Sequence, residues 1–338
     1  MKKRMIALVM SALFLSLTAC SSGTSKDSQA ADTETNTEAN AVDETETPAS
    51  EGIKVGFAQC EVTNNWRTVQ TQSIIDEAEK RGIELIVTYG ENDVAQQVSN
   101  IEDMLAQGID YLLLVPREYD GFEGILAECK KAGVPVIIID RECAGTVGED
   151  FATVIISDLY DEAYRCGTFI AEALGGKGNI AEITLTAGSS AAQMFTEGFA
   201  AAIAEYPDLK IVASQDGDGI RATAMSAMEN ILQAQGNNVD AIYAHTGDMA
   251  IGCAQACRTA GLNLDDIRIA GISGGNEALQ AIVDGNMDYM VECDPFFGPT
   301  AFDIIEKLEN GEQVEERYLN EDPDFDATNA EEFLGTLY

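Results

Sequence analysis

This sequence contains a single histidine and few basic residues. His245 is the one histidine among 338 residues, and 20 Lys and Arg stand against 58 Asp and Glu, giving a formal net charge of −38 at pH 7. Nucleic acid and anionic lipid headgroups are repelled by such a charge, so neither is expected as a partner through a basic patch. A Ser-His-Asp triad needs a histidine, and most metal sites use several His or Cys ligands, so a chain with one histidine is a poor candidate for either. We therefore expect no catalytic residue, metal or cofactor. A glycosidase mechanism that uses two paired carboxylates stays open as an alternative, because any two of the many acidic side chains can come together in the folded protein.

The apolar run near the start, residues 5–17, is too short to span a bilayer as a helix. It follows Lys2, Lys3 and Arg4 and ends in Leu17-Thr18-Ala19-Cys20. A basic head, a short apolar middle and a small-residue end are typical of a secretion signal, so residues 1–20 are expected to direct the protein out of the cytoplasm. The last four residues resemble the lipobox of bacterial lipoproteins. That resemblance implies lipidation of Cys20 and anchoring to the cell membrane; an ordinary signal peptide with a chance cysteine is the alternative.

Residues 21–52 contain no aromatic residue. They consist almost entirely of Ser, Thr, Ala, Asn, Asp and Glu. Such a composition buries too little apolar surface to offset the entropy of ordering the chain. We therefore expect a disordered acidic linker that holds the folded part away from the membrane.

The cysteines do not match a disulfide framework or a zinc site in number or spacing. Seven remain when Cys20 is set aside: Cys60, Cys129, Cys143, Cys166, Cys253, Cys257 and Cys293. An odd number cannot all pair within one chain. We interpret them as small buried thiols, although disulfides stay open at this stage.

From Ile53 onward, short β-rich runs alternate with segments of helical period. The predicted strands are IKVGFAQ, IELIVTYG, YLLLVP, VPVIIID, ATVIIS, NIAEITL, LKIVAS, AIYAH, IRIAGIS and DYMVEC. The predicted helices cover residues 64–81, 94–107, 122–131, 161–174, 191–206, 222–235, 249–259, 277–283 and 299–308, before an extended piece at 317–319 and a short terminal helix. This alternation predicts an α/β fold of parallel sheets covered by helices. Since open α/β sheets bind ligands at the carboxyl ends of their strands, two such sheets in tandem predict a cleft between them.

Six segments carry a family resemblance, in order and at compatible spacing: KVGFAQ, NNWRTVQ, VPVIIIDRE, GSSAAQMFTEGFAAAI, YAHTGDMAIGCAQACRTAG and VECDPFFGPTAFD. They resemble the periplasmic sugar-binding proteins of the ribose and galactofuranose type, over nearly all of residues 53–320. The resemblance implies two Rossmann-like, doubly wound lobes joined by a hinge of three crossings. It also implies a monomer that captures a small sugar or polyol and hands it to the permease of an ABC importer in the membrane.

By the same resemblance, the crossings should lie near Asp158, near residues 294–296 and around residues 319–322. The N-terminal lobe would comprise residues 53–158 with about 295–319, and the C-terminal lobe residues 159–294. The tail, residues 320–338, is expected to pack near the hinge against the first lobe.

Candidate ligand contacts in the first lobe follow its strands. A sugar needs flat aromatic surface, carboxylate acceptors and Arg or amide donors. Trp66 and Arg67 come after the first strand and Cys60-Glu61, and Trp66 can instead anchor its helix. Asp140 and Arg141 end the strand VPVIIID and are the foremost candidates, with a structural ion pair as the alternative. Arg117 is a weaker candidate.

In the second lobe the resemblance points to Arg221, Asp248 and Glu292. Capping of the following helix is the expected role of Asp248, and His245 is either a ligand contact or a satisfied strand-end residue. The chain has Phe195, Thr246 and Gly274 where the family usually carries Arg, Asn and Asp. These departures replace polar contacts by one aromatic surface, which implies a different sugar, a deoxy or methylated sugar, a sugar alcohol or a small non-sugar.

Three other kinds of protein would show part of this sequence pattern. A surface sensor that presents its ligand to a receptor or kinase would have the same fold. A surface hydrolase would use paired carboxylates. LacI-type repressors share the two lobes, but no helix-turn-helix precedes residue 53 and an exported protein does not meet the chromosome.

Overall fold

The computed structural model describes residues 52–62 and 64–338. The predicted signal peptide, Cys20 and the predicted linker apart from Gly52 lie outside the described residues. No helix in the described ranges is both long and apolar enough to cross a membrane.

The first sheet has six parallel strands in the order β11-β5-β4-β3-β1-β2. Its strands are β1 Lys54–Gln59, β2 Glu84–Tyr89, β3 Tyr111–Leu114, β4 Val136–Ile139, β5 Thr153–Ile156 and β11 Arg317–Leu319. Every residue of β3, β4 and β5 is buried, as expected for strands covered on both faces. The register pairs Phe57 of β1 with Val87 of β2 and with Leu113 of β3.

The second sheet has the order β12-β10-β9-β8-β6-β7, and β12 alone runs antiparallel to its neighbour. Its strands are β6 Lys177–Thr184, β7 Asp208–Asp216, β8 Ala241–Ala244, β9 Arg268–Ile272, β10 Tyr289–Val291 and β12 Asp324–Asp326. The two sheets confirm the predicted α/β architecture and its ten predicted strands.

Helices connect the strands in both lobes. They are α1 Asn65–Arg81, α2 Val94–Ala106, α3 Glu123–Ala132, α4 Leu159–Ala173, α5 Ser190–Ile203, α6 Arg221–Gln235, α7 Gly247–Thr259, α8 Gly275–Val283 and α9 Gly298–Glu309. Five of them begin at a residue whose side chain accepts a bond from a first-turn backbone N–H, namely Asn64, Asp93, Asp158, Ser189 and Thr246. Such caps fix where a helix leaves its strand end, and so fix the position of the residues that follow the strands.

The chain passes between the two sheets three times, which confirms the predicted three-crossing hinge. The crossings join β5 to α4, β10 to α9, and β11 to β12. Helix α9 returns to the first lobe and packs on α1, where Gly298 lies so close to the Ser73 carbonyl that a Cβ would meet it at 2.1 Å.

The tail departs from the sequence-based expectation, which placed it against the first lobe. Strand β12 pairs with β10, so residues 324–326 extend the second sheet. The cause is Phe325, which is fully buried there, while the Tyr289 hydroxyl donates to Asp324 at 3.0 Å. A short 3-10 helix, Ala330–Phe333, then leads to residues that contact α8.

Candidate functional site

A cavity lies between the lobes, at the carboxyl ends of the strands of both sheets. It encloses about 740 Å³ of empty space, part of which is open to solvent. Seven of the nine predicted ligand residues line it: Trp66, Arg67, Asp140, Arg141, Phe195, Thr246 and Asp248. Arg221 and Glu292 do not line it.

The first-lobe wall is a buried cluster of charges. Nη1 of Arg67 lies 2.6 Å from Oδ2 of Asp140, and Nε of Arg141 lies 3.8 Å from the same oxygen. Oε1 of Glu61 lies 3.8 Å from Arg67 and 3.7 Å from Arg141. Burial alone would lower the pKa of Arg67, but the Asp140 carboxylate raises it, so the guanidinium stays charged.

Several buried polar atoms of this cluster have no aligned hydrogen-bond partner among the described residues. They are Oε1 of Glu61 and Nε of Arg141; Oδ2 of Asp140 also lacks an aligned donor but lies in the ion pair with Arg67. Unpaired buried polar atoms cost free energy, about 1–3 kcal/mol each, unless a bound molecule or water pairs with them. All three residues line the cavity, so this wall consists of carboxylate acceptors and a guanidinium donor, the groups that pair with hydroxyls.

Asp140 has an unusual backbone conformation, with a φ of 67°. Its N–H donates to the Ile155 carbonyl at 2.8 Å, which anchors the end of β4 to β5. Left-handed geometry at a non-glycine residue is uncommon and clusters at functional positions. Here it turns the chain directly after the strand, and both Asp140 and Arg141 line the cavity.

Arg117 supports this wall from behind. Its Nη1 donates to Asn92 at 2.8 Å and lies 3.4 Å from Oε2 of Glu61, while its carbonyl accepts from Nη1 of Arg141 at 3.0 Å. Arg117 does not line the cavity. Its place is therefore beneath the first-lobe charges rather than against a ligand.

Trp66 lies between the cavity and the hinge. Its ring lines the cavity, and its indole N–H donates to the Cys293 carbonyl in the hinge at 2.7 Å. The guanidinium of Arg67 lies 4.8 Å from the ring centroid, and Phe297 packs edge-on at 6.1 Å. Trp66 thus connects the start of α1 to the second hinge crossing.

In the second lobe, an aromatic pair forms the opposite wall. Phe195 meets His245 edge-on, with 5.4 Å between ring centroids. Nδ1 of His245 accepts from the Leu185 N–H at 3.1 Å, and Nε2 lies 3.3 Å from Glu182. Both ring nitrogens are therefore occupied, which makes His245 a satisfied strand-end residue whose ring faces the cavity.

Glu182 is ionised and His245 is neutral. Burial lowers the pKa of His245 and keeps its imidazole neutral, even though Glu182 pulls the other way. Burial opposes ionisation of Glu182, but hydrogen bonds from His245, Ser214 and Thr196 lower its pKa below the usual value. The pair supports the wall and offers a ligand no free polar atom from His245.

The predicted capping role of Asp248 is wrong. The cap of α7 is Thr246, whose Oγ1 accepts from the Met249 N–H at 3.2 Å. Asp248 instead pairs with Arg221, which also bonds to Glu277. Thr246 is two residues nearer than Asp248 to the end of β8, so it takes the cap, and Asp248 is left to line the cavity.

Glu292 is buried behind the cavity rather than in its lining. Neither carboxylate oxygen has an aligned hydrogen-bond partner among the described residues, although the Gly275 N–H and the Ser273 hydroxyl lie near enough to favour its ionised form. Burial, together with the nearby charges of Asp294 and Asp322, raises its pKa to about 8. Glu292 is thus held largely protonated at neutral pH by the hinge.

Tyr338 is a lining residue that the sequence interpretation missed. Its hydroxyl lies 2.7 Å from Oγ of Ser273 and accepts from the Gly274 N–H at 2.8 Å. No strand end precedes it and no periodic pattern includes it, so the strand-end signal that identified Asp140 could not identify Tyr338.

Direct contacts join the two lobes across the cleft. The Tyr119 N–H donates to the Gly188 carbonyl at 2.9 Å, and the Glu142 N–H donates to Oγ of Ser190 at 2.8 Å. Nη2 of Arg117 lies 3.5 Å from Asp218 of the second lobe. These contacts hold the lobes closed over the cavity.

The charges at the cavity balance. The lining includes four carboxylates, those of Glu61, Asp140, Asp248 and Glu277, and the two guanidinium groups of Arg67 and Arg141. Two further arginines pair with these carboxylates without lining the cavity: Arg117 with Glu61, and Arg221 with Asp248 and Glu277. In the described part of the chain, no group of three or more His, Cys, Asp or Glu side chains is arranged to hold a metal ion. The arrangement suits an uncharged ligand with many hydroxyl groups.

Two α/β lobes closed over a central cavity by a three-crossing hinge define a two-lobed binding protein. A family model described as the periplasmic binding protein domain matches residues 55–313. The galactofuranose-binding protein YtfQ of Escherichia coli (strain K12) is 34% identical over 269 residues, covering 78% of this chain and 85% of that protein. The ribose import binding protein RbsB of Bacillus subtilis (strain 168) is 30% identical over 273 residues, covering 79% and 87%.

A solved structure shows the same fold. The periplasmic binding protein component of the arabinose ABC transporter from Shewanella sp. ANA-3, bound to alpha and beta-L-arabinofuranose, has a TM-score of 0.81 and 32% identity. The match covers 84% of this chain and 95% of that one. The chain therefore belongs to the periplasmic binding protein family, a family of binding proteins that implies a place outside the cytoplasm.

Proposed function

We propose that this protein is an extracytoplasmic solute-binding lipoprotein that captures a neutral monosaccharide or polyol in the interlobe cavity and delivers it to an ABC importer. The observation that carries the proposal is the first-lobe wall of Arg67, Asp140 and Arg141. It places a carboxylate acceptor and two guanidinium donors in the lining of a cavity whose charges balance. Adjacent sugar hydroxyls donate to a carboxylate and accept from a guanidinium, which is what this wall offers.

The second-lobe wall supports the same ligand class. Phe195 and Leu185 give the cavity an apolar side opposite the charged one. A sugar ring has apolar C–H faces as well as hydroxylated edges, and aromatic surface packs on such faces. The relatives reported above are named for galactofuranose and ribose, and the solved relative holds arabinofuranose.

The ligand class is tested by isothermal titration calorimetry with a panel of neutral pentoses, hexoses, deoxysugars and polyols. Glucuronate and glucosamine serve as charged controls of similar size. We expect at least one neutral compound to bind with 1:1 stoichiometry, and the charged ones to bind more weakly because either charge unbalances the site. Failure of every neutral compound, or tighter binding of a charged one, would contradict the proposal.

Binding without turnover is part of the proposal. Incubating the protein with its best ligand and with the corresponding methyl glycoside should return both unchanged, as followed by NMR. A hydrolase using paired carboxylates would release methanol from the glycoside.

The proposed membrane anchoring rests on Cys20, and the proposed delivery of the ligand to an importer rests on the family to which the chain belongs. Replacing Cys20 by Ser should move the protein from the membrane fraction to the soluble fraction, because the acyl chains are lost. Delivery is tested by co-purification with a permease and its ATPase, and by ligand-dependent ATPase activity in proteoliposomes. A sensor would use the same cleft but would instead stimulate a receptor or kinase.

A further inference from the structure

The last residues of the chain are fastened to one side chain of α8. The amide nitrogen Nδ2 of Asn276 donates to the Leu337 carbonyl at 2.6 Å, and its Oδ1 accepts from the Gly335 N–H at 2.7 Å. The backbone N–H of Asn276 donates to the Tyr338 carbonyl at 3.1 Å. Three hydrogen bonds from one residue therefore set the position of residues 335–338.

Tyr338 itself is part of the cavity wall. Its hydroxyl is engaged by Ser273 and by the Gly274 N–H, so it is held by the protein. The side chain lines the cavity on the second-lobe side, beside Gly274 and Ser273. A tyrosine whose hydroxyl is already paired presents its ring to whatever fills the cavity.

The backbone leaves space for this ring. Gly275 has a φ of 54°, and a Cβ on it would lie 2.6 Å from the Tyr338 carbonyl oxygen and 2.9 Å from the ring. At Gly274 a Cβ would collide with Ala278 at 2.6 Å. Gly275 thus allows the tail to lie against the start of α8, where a larger residue would push the ring away, and Gly274 allows the chain to pass close to Ala278.

We propose that Tyr338 is a specificity-determining residue: its ring closes the second-lobe side of the cavity and limits the size of the ligand, and Asn276 positions it. The inference rests on the proposed function, because it assigns a role within the same binding site. A ligand that fits the closed cavity contacts the ring, whereas a ligand enlarged on that side collides with it.

The test compares Tyr338→Ala, Tyr338→Phe and Asn276→Ala by calorimetry, with two probes. One is the neutral monosaccharide or polyol that binds the wild type best, and the other is a bulkier derivative of it, its methyl ether or a disaccharide containing it. We expect Tyr338→Ala to weaken binding of the first probe at least tenfold and to reduce discrimination against the second. Tyr338→Phe keeps the ring and should lose threefold to tenfold. Asn276→Ala should resemble Tyr338→Ala with a smaller effect.

Thr336→Ala is the matched control, since Thr336 is exposed in the same tail and its hydroxyl bonds only to the Phe333 carbonyl. Its affinity should stay within twofold of the wild type. Unchanged affinity and discrimination in Tyr338→Ala would overturn the inference and leave the proposed function standing. If the wild type binds no neutral carbohydrate, the proposed function fails and the inference fails with it.

A second measurement needs no ligand. The Gly274 N–H is bonded to the Tyr338 hydroxyl, so its amide hydrogen should exchange faster with solvent in Tyr338→Phe and Tyr338→Ala than in the wild type. Equal exchange rates would show that the tail does not occupy this position in solution and would also overturn the inference.

Discussion

The guanidinium of Arg67 and the carboxylate of Asp140 form a buried ion pair, 2.6 Å apart, whose side chains are only 4% and 8% exposed. Arg67 belongs to α1 and Asp140 follows β4, so the pair joins two elements at the carboxyl edge of the first sheet. Removing two charges from water costs several kcal/mol per ion, and this cost is repaid only when the remaining polar atoms also find partners. Oε1 of Glu61 and Nε of Arg141, beside the pair, lack aligned partners among the described residues, and we expect bound water or ligand to supply them.

The first prediction concerns Asp140→Asn. Asn tolerates the left-handed backbone of this position and keeps the side-chain shape, so the change removes mainly the charge and one acceptor. We expect about tenfold to hundredfold weaker ligand binding, because a hydroxyl of the ligand loses its carboxylate partner. Calorimetry measures this directly. The melting temperature should also fall, since Arg67 loses its closest counter-charge.

Asp303→Asn is the matched control for that variant. Asp303 also pairs with an arginine, Arg81, but its side chain is 61% exposed and it lies on α9, away from the cavity. It should bind ligand like the wild type. If Asp140→Asn bound within twofold of the wild type, the ligand would contact a different wall.

The second prediction concerns the ion pair across the cleft, Arg117 with Asp218. Asp218→Asn weakens an interlobe contact of 3.5 Å without changing a lining residue. Exposed or partly exposed pairs contribute about 0.2–1 kcal/mol, so affinity should fall up to about fivefold, mainly through faster dissociation. Stopped-flow measurements at low and high salt check this, because the difference from the wild type should shrink as salt screens the pair.

Asp161→Asn provides the comparison for the interlobe pair. It breaks the pair of Asp161 with Arg165 within α4, where the Asp161 side chain is 55% exposed and both partners belong to one lobe. Dissociation should be unaffected in this variant. A salt-independent loss in Asp218→Asn would point to a role for Asp218 other than closing the lobes.

Most of the architecture follows from local sequence patterns. Continuous Val, Ile and Leu runs such as Val136–Ile139 predict buried parallel strands, and ligand residues are then sought where those strands end. This rule identified Asp140 and Arg141, because they follow a strand directly. It needs no knowledge of distant contacts.

Other parts of the site depend on contacts that no local pattern encodes. Tyr338 reaches the cavity only because Phe325 is buried in the second sheet and Asn276 holds the tail, two contacts with residues far apart in sequence. The choice between Thr246 and Asp248 as a helix cap is a competition between two good capping residues; in the fold Thr246 takes the cap while Asp248 pairs with Arg221. Local sequence patterns cannot predict these two outcomes, because both depend on contacts that form only in the folded chain.

The third prediction concerns the cysteines, which are free and buried in the structure as the sequence indicated: Cys60, Cys129, Cys143, Cys166, Cys253, Cys257 and Cys293. Burial raises the pKa of Cys129 and Cys257 to about 11 and that of Cys143 to about 12. Since the thiolate is the reactive form, these thiols should not react with iodoacetamide in the native protein.

Mass spectrometry of a Cys20→Ser variant should therefore show no alkylation before denaturation and seven alkylated cysteines afterwards, without any reductant. Rapid labelling of a native cysteine would mean that its surroundings open readily. A count lower by two after denaturation would reveal a disulfide.

The fourth prediction concerns Glu292 and pH. Burial, Asp294 and Asp322 raise its folded pKa from 4.5 to about 8. Between those pH values the folded state holds a proton that the unfolded state has released. The stabilisation is therefore fully present below about pH 4.5 and is lost as pH rises through about 8, a loss on the order of a few kcal/mol.

Glu292→Gln removes this titration while keeping the shape of a protonated carboxyl group. The free energy of unfolding, measured with urea from pH 5 to pH 8.5, should fall less steeply with pH in the variant, which gains most over the wild type at high pH. Some slope should remain, because the pKa values of the hinge carboxyls Glu162 and Asp322 are also raised, chiefly by burial. Glu321→Gln, at an exposed position beside Asp322, should leave the wild-type slope unchanged. Parallel curves for Glu292→Gln and the wild type would show that Glu292 is ionised in the folded protein throughout this range, and hence that water or a cation reaches it behind the cavity.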